Sequence, residues 1–246
     1  MKMFFYRIYQ FIIAIPLLAA VTILAATITI AGSALGMGRM FGYWPGKIWA
    51  RVFCVLTLVR VTVRGRENID RGTSYVFVAN HQGAYDIFSI YGYLGHNFRW
   101  MMKKSLEKIP FVGYSCRVSG HIYVDNSTPA ATRQTMATAE RQLSGGMSVV
   151  VFPEGARALD GRLHRFRRGA FILATEFGLP VVPITIDGAY DVMPRGASLP
   201  RPGHIILTIH KPIPASADGT HDLPALMDES FRAVESALPE RNKSRG

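Results

Sequence analysis

Between Ile8 and Gly38 the chain carries no charged residue, and from Phe11 to Leu35 it is dominated by Ile, Leu, Ala, Val and Thr. That is enough apolar length to cross a bilayer. A cleaved secretory leader has a shorter apolar region ending in a cleavage site, so the pattern favours a retained membrane segment. Pro16 and Gly32-Ser33 leave open a second arrangement, a bend that enters and leaves one leaflet. Next, Ile48, Trp49, Val52, Phe53, Leu56 and Val59 recur at helical spacing, with Pro45 suited to a first turn and Lys47 and Arg51 one turn apart. This stripe, with Trp44 and Trp49 beside the basic residues, predicts a helix lying on an anionic membrane surface; an ordinary core helix is the alternative.

From Val59 onward the period changes. Short apolar runs predict strands at 59–63, 75–79, 98–102, 121–124, 148–152, 181–186 and 205–209. Helical stretches are expected at 87–94, at 129–143 with Thr128 before its proline and Gly145 after its end, at 170–177 and at 223–238. Strands alternating with helices predict an α/β fold, a mixed sheet flanked by helices. The expected domains are therefore membrane-anchoring helices over 1–58, an α/β domain over 59–240, and a polar, basic, mobile tail over 241–246.

Composition sharpens this picture. A chain of 246 residues with 49% hydrophobic and 18% charged content is apolar for a soluble protein. A net charge of +11 predicts attraction to polyanions, and the apolar N-terminus favours anionic lipid over nucleic acid. If the first segment spans, Arg39, Lys47, Arg51, Arg60, Arg64 and Arg66 outweigh Lys2 and Arg7. The large C-terminal part is then expected in the cytoplasm, on the inner or another cytoplasm-facing membrane. The two cysteines, Cys54 and Cys116, fit reduced buried thiols. No histidine pairing has metal-ligand spacing, so neither metal nor cofactor is expected.

Two strand ends carry chemistry. Asn80-His81-Gln82-Gly83-Ala84-Tyr85-Asp86 follows the apolar run at 75–79. Five residues on one helix amount to about 140° of rotation, so His81 and Asp86 meet only across a turn, which Gly83 can supply. A carboxylate on one ring nitrogen fixes the tautomer and leaves the other nitrogen to take a proton from a hydroxyl. Phe152-Pro153-Glu154-Gly155-Ala156-Arg157 ends the run at 148–152. There Gly155 lets the backbone approach a ligand, Arg157 is a two-pronged phosphate donor, and Glu154 can orient a hydroxyl or that arginine. Arg162, His164, Arg165, Arg167 and Arg168 follow as an anion site or a solvated loop. A serine hydrolase lacks its Gly-x-Ser-x-Gly elbow here.

In this order the blocks resemble the glycerolipid acyltransferase family, in particular its lysophosphatidate acyltransferases. Asn80-His81 to Asp86 is similar to the family's His-four-Asp block, and Phe152-Pro153-Glu154-Gly155 with Arg157 to its acceptor-binding block. Gly120-His121-Ile122-Tyr123-Val124-Asp125, Val181-Val182-Pro183-Ile184 and the 103–113 segment resemble further family stretches. Three positions depart: Gly83 for serine and Ala156 for threonine, both small and expected to be tolerated, and Asn126 for arginine, with Arg133 or Arg117 as candidate replacements. The resemblance implies acyl transfer from acyl-coenzyme A or acyl carrier protein to the sn-2 hydroxyl of lysophosphatidate, with His81 as base and Asp86 as its partner. It implies that Glu154, Gly155, Arg157 and Lys103 hold the acceptor's phosphate. Arg165, Arg167 and Arg168 are expected to receive the donor's phosphates or the acidic carrier. A related lysolipid such as lyso-ornithine lipid, a phospholipid transacylase, and an inactive membrane scaffold are the alternatives.

Overall fold

The computed structural model describes residues 1–125, 127–215 and 222–245; Asn126 therefore lies outside the described residues. Alternation along the strands builds the core. In β2 (Val76–Ala79) Val76 and Val78 enter one buried cluster while Phe77 and Ala79 enter the other, as side chains on successive residues must. The strand neighbours it on both sides, between β5 (Ser148–Val151) and β6 (Val181–Asp187), both parallel to it. The sheet continues through β3 (Phe98–Lys103) to β4 (Ile122–Val124) at one edge. At the other edge β7 (Gly203–Ile209) turns antiparallel to β6 and carries β1 (Val59–Arg64) beside it. Seven strands in the order β1-β7-β6-β2-β5-β3-β4 thus make the expected mixed sheet.

Helices cover both faces. α4 (Trp44–Leu56), α5 (Tyr85–Tyr93) and α9 (Ala189–Val192) contribute to the cluster that includes Phe77, Ile184 and Leu207. α7 (Pro129–Ser144), α8 (Gly169–Glu176) and α10 (Leu223–Ser236) close the other face over Val76, Val78 and Val149. Thr128 caps α7 by accepting from the Ala131 N–H at 3.1 Å. The four helices expected in this domain lie within two residues of the observed bounds. α6 (Val112–Val118) and α9 are short and had no periodic signal.

The N-terminal apolar segment is one nearly continuous helix made of α1 (Lys2–Tyr9), a π-helical turn (Gln10–Ala14) and α2 (Ile15–Ala34). Its stretch Met3–Ala34 is long and apolar enough to cross a membrane, which makes it a candidate for membrane association. It lies along the domain rather than projecting from it. Tyr6 donates to the Thr57 carbonyl at 2.7 Å, Tyr9 to that of Leu56 at 2.9 Å, and Arg7 and Gln10 each reach the Pro200 carbonyl at 3.0 Å. Further along, Trp49 donates to the Thr22 hydroxyl at 2.9 Å, and Leu18, Ala26, Thr29 and Gly32 form the buried stripe. Phe41 of α3 (Gly38–Phe41) sits so close to Gly32 that a Cβ there would fall 2.1 Å from its ring. The remaining faces leave Ile12, Ile13, Leu17, Ile23 and Leu24 exposed.

Two expectations change. α4 is a core helix on one side, with Ala50 and Cys54 buried, Phe53 stacked on Phe88 of α5 and Trp49 tilted against the same ring. Its other side leaves Trp44, Ile48 and Val55 exposed, so the single predicted stripe is in fact divided. The tail is not free either: Asn242 is buried and its backbone carbonyl accepts from the Leu163 N–H at 2.9 Å.

Asn80 extends the β2–β6 pairing past the end of the strand. Its side chain accepts from the Ile186 N–H at 2.7 Å and donates to the Ile186 carbonyl at 2.9 Å, standing in for one more ladder residue. Asn80→Ala is expected to lower stability by about 2–4 kcal/mol, because both buried Ile186 groups lose their partner. Thermal unfolding of the purified variant checks this, and an unchanged midpoint would refute it.

Candidate active site

β2 and β5 are adjacent and parallel, with Val78 opposite Val151, so the loops leaving them emerge side by side at one edge of the sheet. One brings His81, the other Glu154. After Asn80 the chain turns and starts α5, whose first turn carries Asp86. Asp86 is fully buried, and one of its oxygens, Oδ2, accepts three hydrogen bonds: from His81 Nδ1 at 2.7 Å, the Gln82 N–H at 2.7 Å and the Gly83 N–H at 2.8 Å. An imidazole that donates from Nδ1 presents Nε2 as an acceptor. The His81 side chain is 14% exposed, and Phe152 stacks on its ring at 3.9 Å and 9°.

Glu154, expected from sequence to orient a substrate hydroxyl or an arginine, bonds backbone instead of an arginine. It is buried, and each oxygen accepts one backbone bond: Oε1 from the His81 N–H at 2.7 Å and Oε2 from the His164 N–H at 3.0 Å. Burial pushes its carboxyl up to about 8, against the pull of those two backbone donors. It therefore acts as a clamp between the two loops. The segment after it is tied down twice more, by the Ala158 N–H on the His81 carbonyl at 2.8 Å and by the Arg167 N–H on the Pro153 carbonyl at 2.9 Å. The Gly161 carbonyl accepts from Gln82 Nε2 at 2.9 Å and from Asn242 Nδ2 at 2.6 Å. The C-terminal residues thus hold the strap that crosses the site.

Among the described residues Arg157 makes no side-chain hydrogen bond or ion pair, and it is half-buried beside the clamp. Gly155, at φ +79°, has the Arg167 guanidinium so close that a Cβ would fall 2.9 Å from its central carbon. Arg167 consequently belongs with Gly155 and Arg157, whereas sequence order grouped it with Arg165 and Arg168 on the loop. Those two are exposed, and they line a groove of about 580 Å³ with Phe166, Met227 and Phe231, apart from His81. Lys103 is exposed at the end of β3. Of the two candidates to replace the missing arginine at position 126, Arg117 is paired with Glu107 and Arg133 is exposed on α7. His121, in the block between, is buried and held neutral, its imidazole pushed down to about 3 by burial and by Arg99. Its Nδ1 accepts from the Trp100 N–H at 3.1 Å. No group of His, Cys, Asp or Glu among the described residues could hold a metal ion.

Residues 60–187 match the Acyltransferase family. The 1-acyl-sn-glycerol-3-phosphate acyltransferase of Chlamydomonas reinhardtii is 32% identical over 94% of this chain and 68% of its own length. The chain belongs to the acyltransferase family. The chloroplastic 1-acyl-sn-glycerol-3-phosphate acyltransferase of Arabidopsis thaliana is 33% identical over 72% of the chain, which spans about half, 50%, of that relative. The crystal structure of the 1-acyl-sn-glycerophosphate acyltransferase PlsC from Thermotoga maritima matches 95% of this acyltransferase and 93% of that chain, with a TM-score of 0.79 and 25% identity.

Gly83 shows how tightly this acyltransferase is built. Its φ is not positive, so backbone freedom is not what the position needs. Space is: a Cβ would fall 2.5 Å from the Ala189 carbonyl oxygen and 2.8 Å from that of Met193, both backbone atoms. A serine, expected from sequence to be interchangeable here, has no room in this chain. Gly83→Ser is expected to displace the 81–86 turn and lower acyl-transfer turnover at least tenfold, with Gly83→Ala nearly as damaging. Steady-state kinetics on the folded variants measure it, and near-normal turnover in the serine variant would count against this packing argument.

Proposed function

We propose that this acyltransferase moves a fatty acyl chain from a thioester to the free sn-2 hydroxyl of 1-acyl-sn-glycerol-3-phosphate, with His81 as general base. The observation that carries the reading is the 2.7 Å contact of His81 Nδ1 with the buried Asp86, which leaves Nε2 as the acceptor. Nε2 takes the hydroxyl proton as the oxygen attacks the thioester carbonyl. The new C–O bond forms, the C–S bond breaks, and the imidazolium returns its proton to the departing thiolate. A thiolate leaves easily, so no covalent acyl-enzyme is required; general-base help of about 10²- to 10⁴-fold and correct placement suffice. Asp86 holds the ring in place and stabilises the imidazolium that forms.

Arg157, two residues past Gly155, and Arg167, whose guanidinium lies against that glycine, suit an acceptor phosphate, with Lys103 at the neighbouring strand end. The donor is acyl-coenzyme A or acyl carrier protein; both are thioesters with a phosphopantetheine arm, and Arg165 and Arg168 offer charge to either. The apolar helix bears on where the reaction happens. Its bonds to the domain from Tyr6 to Thr22 and its burial at Gly32 support a helix lying beside the domain rather than one standing across a bilayer. Its exposed apolar faces suit a helix lying in one leaflet of a cytoplasm-facing membrane, with the site at the headgroup level where a lysolipid need lift only its polar end.

An acyl-transfer assay in membranes, crossing lysophosphatidate and lyso-ornithine lipid with acyl-coenzyme A and acyl carrier protein donors, tests acceptor and donor together. Turnover with lysophosphatidate is expected; turnover only with the phosphate-free acceptor would sink the proposal. In the same assay His81→Ala and Asp86→Asn are expected to lose about 10²-fold or more of kcat while remaining folded. Variants that keep most of their turnover would remove His81 from its role.

Arg157→Ala is expected to raise KM for the phosphate-bearing acceptor about tenfold or more, with little change on a phosphate-free one. Equal losses on both acceptors would argue against phosphate recognition by this residue.

A further inference from the structure

The segment between β3 and α6 has a feature that the acyl-transfer chemistry does not use. Lys104–Lys108 forms a 3-10 turn, and the chain then reverses at Phe111, whose φ of 62° and ψ of −49° lie where bulky side chains are rarely found. The Val112 N–H donates to the Pro110 carbonyl at 2.7 Å, making Phe111 the centre of a γ-turn of the strained, positive-φ kind. The tip is nevertheless rigidly built. The Gly113 N–H reaches the Ile109 carbonyl at 2.8 Å, the Ser115 N–H reaches that of Phe111 at 3.1 Å, and Tyr123 donates to the Gly113 carbonyl at 2.7 Å. Gly113 is so crowded that a Cβ would fall 2.0 Å from the Glu107 carbonyl oxygen.

This rigid tip presents its apolar side chains outward. Leu106, Ile109, Phe111 and Tyr114 are all exposed, Phe111 by 54% and Tyr114 by 56%. Strain held in place while an aromatic ring is left in water calls for a partner, since strained backbone gathers where a surface works. Placement points to what that partner is. α6, which leads out of the tip, packs against α2, and Leu35, Met37 and Met40 just beyond α2 are exposed as well. Charge agrees: Lys104 pairs with Asp125 and Arg117 with Glu107, while Lys103 and Lys108 are exposed and make no ion pair among the described residues.

We propose that the 106–114 segment is a second membrane-docking element. Leu106, Ile109, Phe111 and Tyr114 enter the leaflet that takes up the N-terminal helix, while Lys103 and Lys108 meet anionic phospholipid headgroups. This rests on the reading that the N-terminal helix lies in a membrane. It sets a second anchor at the end of β3, so the domain is held at two places and the sheet edge carrying His81 keeps a fixed tilt to the lipid surface.

The test uses the full chain with Cys54 and Cys116 replaced by alanine and a spin label at Phe111→Cys, Ile23→Cys or Arg141→Cys, in mixed phosphatidylcholine–phosphatidylglycerol vesicles. Tyr114→Cys, in ordinary helical backbone, serves where the strained position does not accept the label. Labels at 111 and 114 are expected to collide with oxygen several-fold more than with a water-soluble nickel complex, as at 23, while position 141 shows the reverse. A label in lipid at 23 but in water at 111 and 114 would overturn this proposal alone. Water exposure at 23 as well would overturn the membrane reading beneath it. Protection from both relaxants at 111 and 114, the mark of a contact with a second copy, would also overturn it.

Discussion

The site depends on one buried carboxyl. Glu154 takes a backbone N–H from His81 on one loop and from His164 on the other, and so fixes two chain segments that have no ladder between them. Its position costs something. Burial resists the charged form, hence the raised carboxyl, and each bond to a backbone donor offsets part of that resistance. What the fold obtains is a histidine whose backbone and side chain are held separately, the first by Glu154 and the second by Asp86. One face of the ring is then covered by Phe152, which Trp100 backs in turn at 5.6 Å.

Much of this was legible in the sequence. Strand and helix positions followed from periodicity because most elements bury one face and expose or differently bury the other. His81 and Asp86 could be paired across a turn because five residues forbid a shared helical face, and the structure brings them together. The rest depended on facts that a linear pattern does not hold. Glu154 reads as a ligand because an acid beside an arginine at a strand end is ambiguous; only the neighbouring loop, more than seventy residues away in sequence, shows that it also holds the His81 backbone. Arg167 sat among loop cations by order, yet backbone bonding returns it to Gly155. Asn242 gave no signal, since a lone asparagine in a basic tail looks solvated. Asn126 lies outside the described residues.

The apolar N-terminus shows the same division. Hydropathy gave its length and its wish to leave water, but not its direction. Direction came from polar side chains, Tyr6, Tyr9, Gln10 and Thr22, that bond the domain along an otherwise greasy helix. Such residues seldom register in a hydropathy profile, although they decide whether a helix stands through a bilayer or rests on its own domain.

The docking of Asn242 on the strap has a temporal meaning. Chains are made from the N-terminus, so the apolar helix and His81 exist long before the residue that holds the Gly161 carbonyl and the Leu163 N–H. The His81 loop can therefore be made on an unfinished polypeptide, whereas the last restraint on the strap, the Lys243 carbonyl that accepts from Arg162 at 3.2 Å, arrives only as synthesis passes residue 243. The order of translation thereby separates making the His81 loop from fastening the strap beside it.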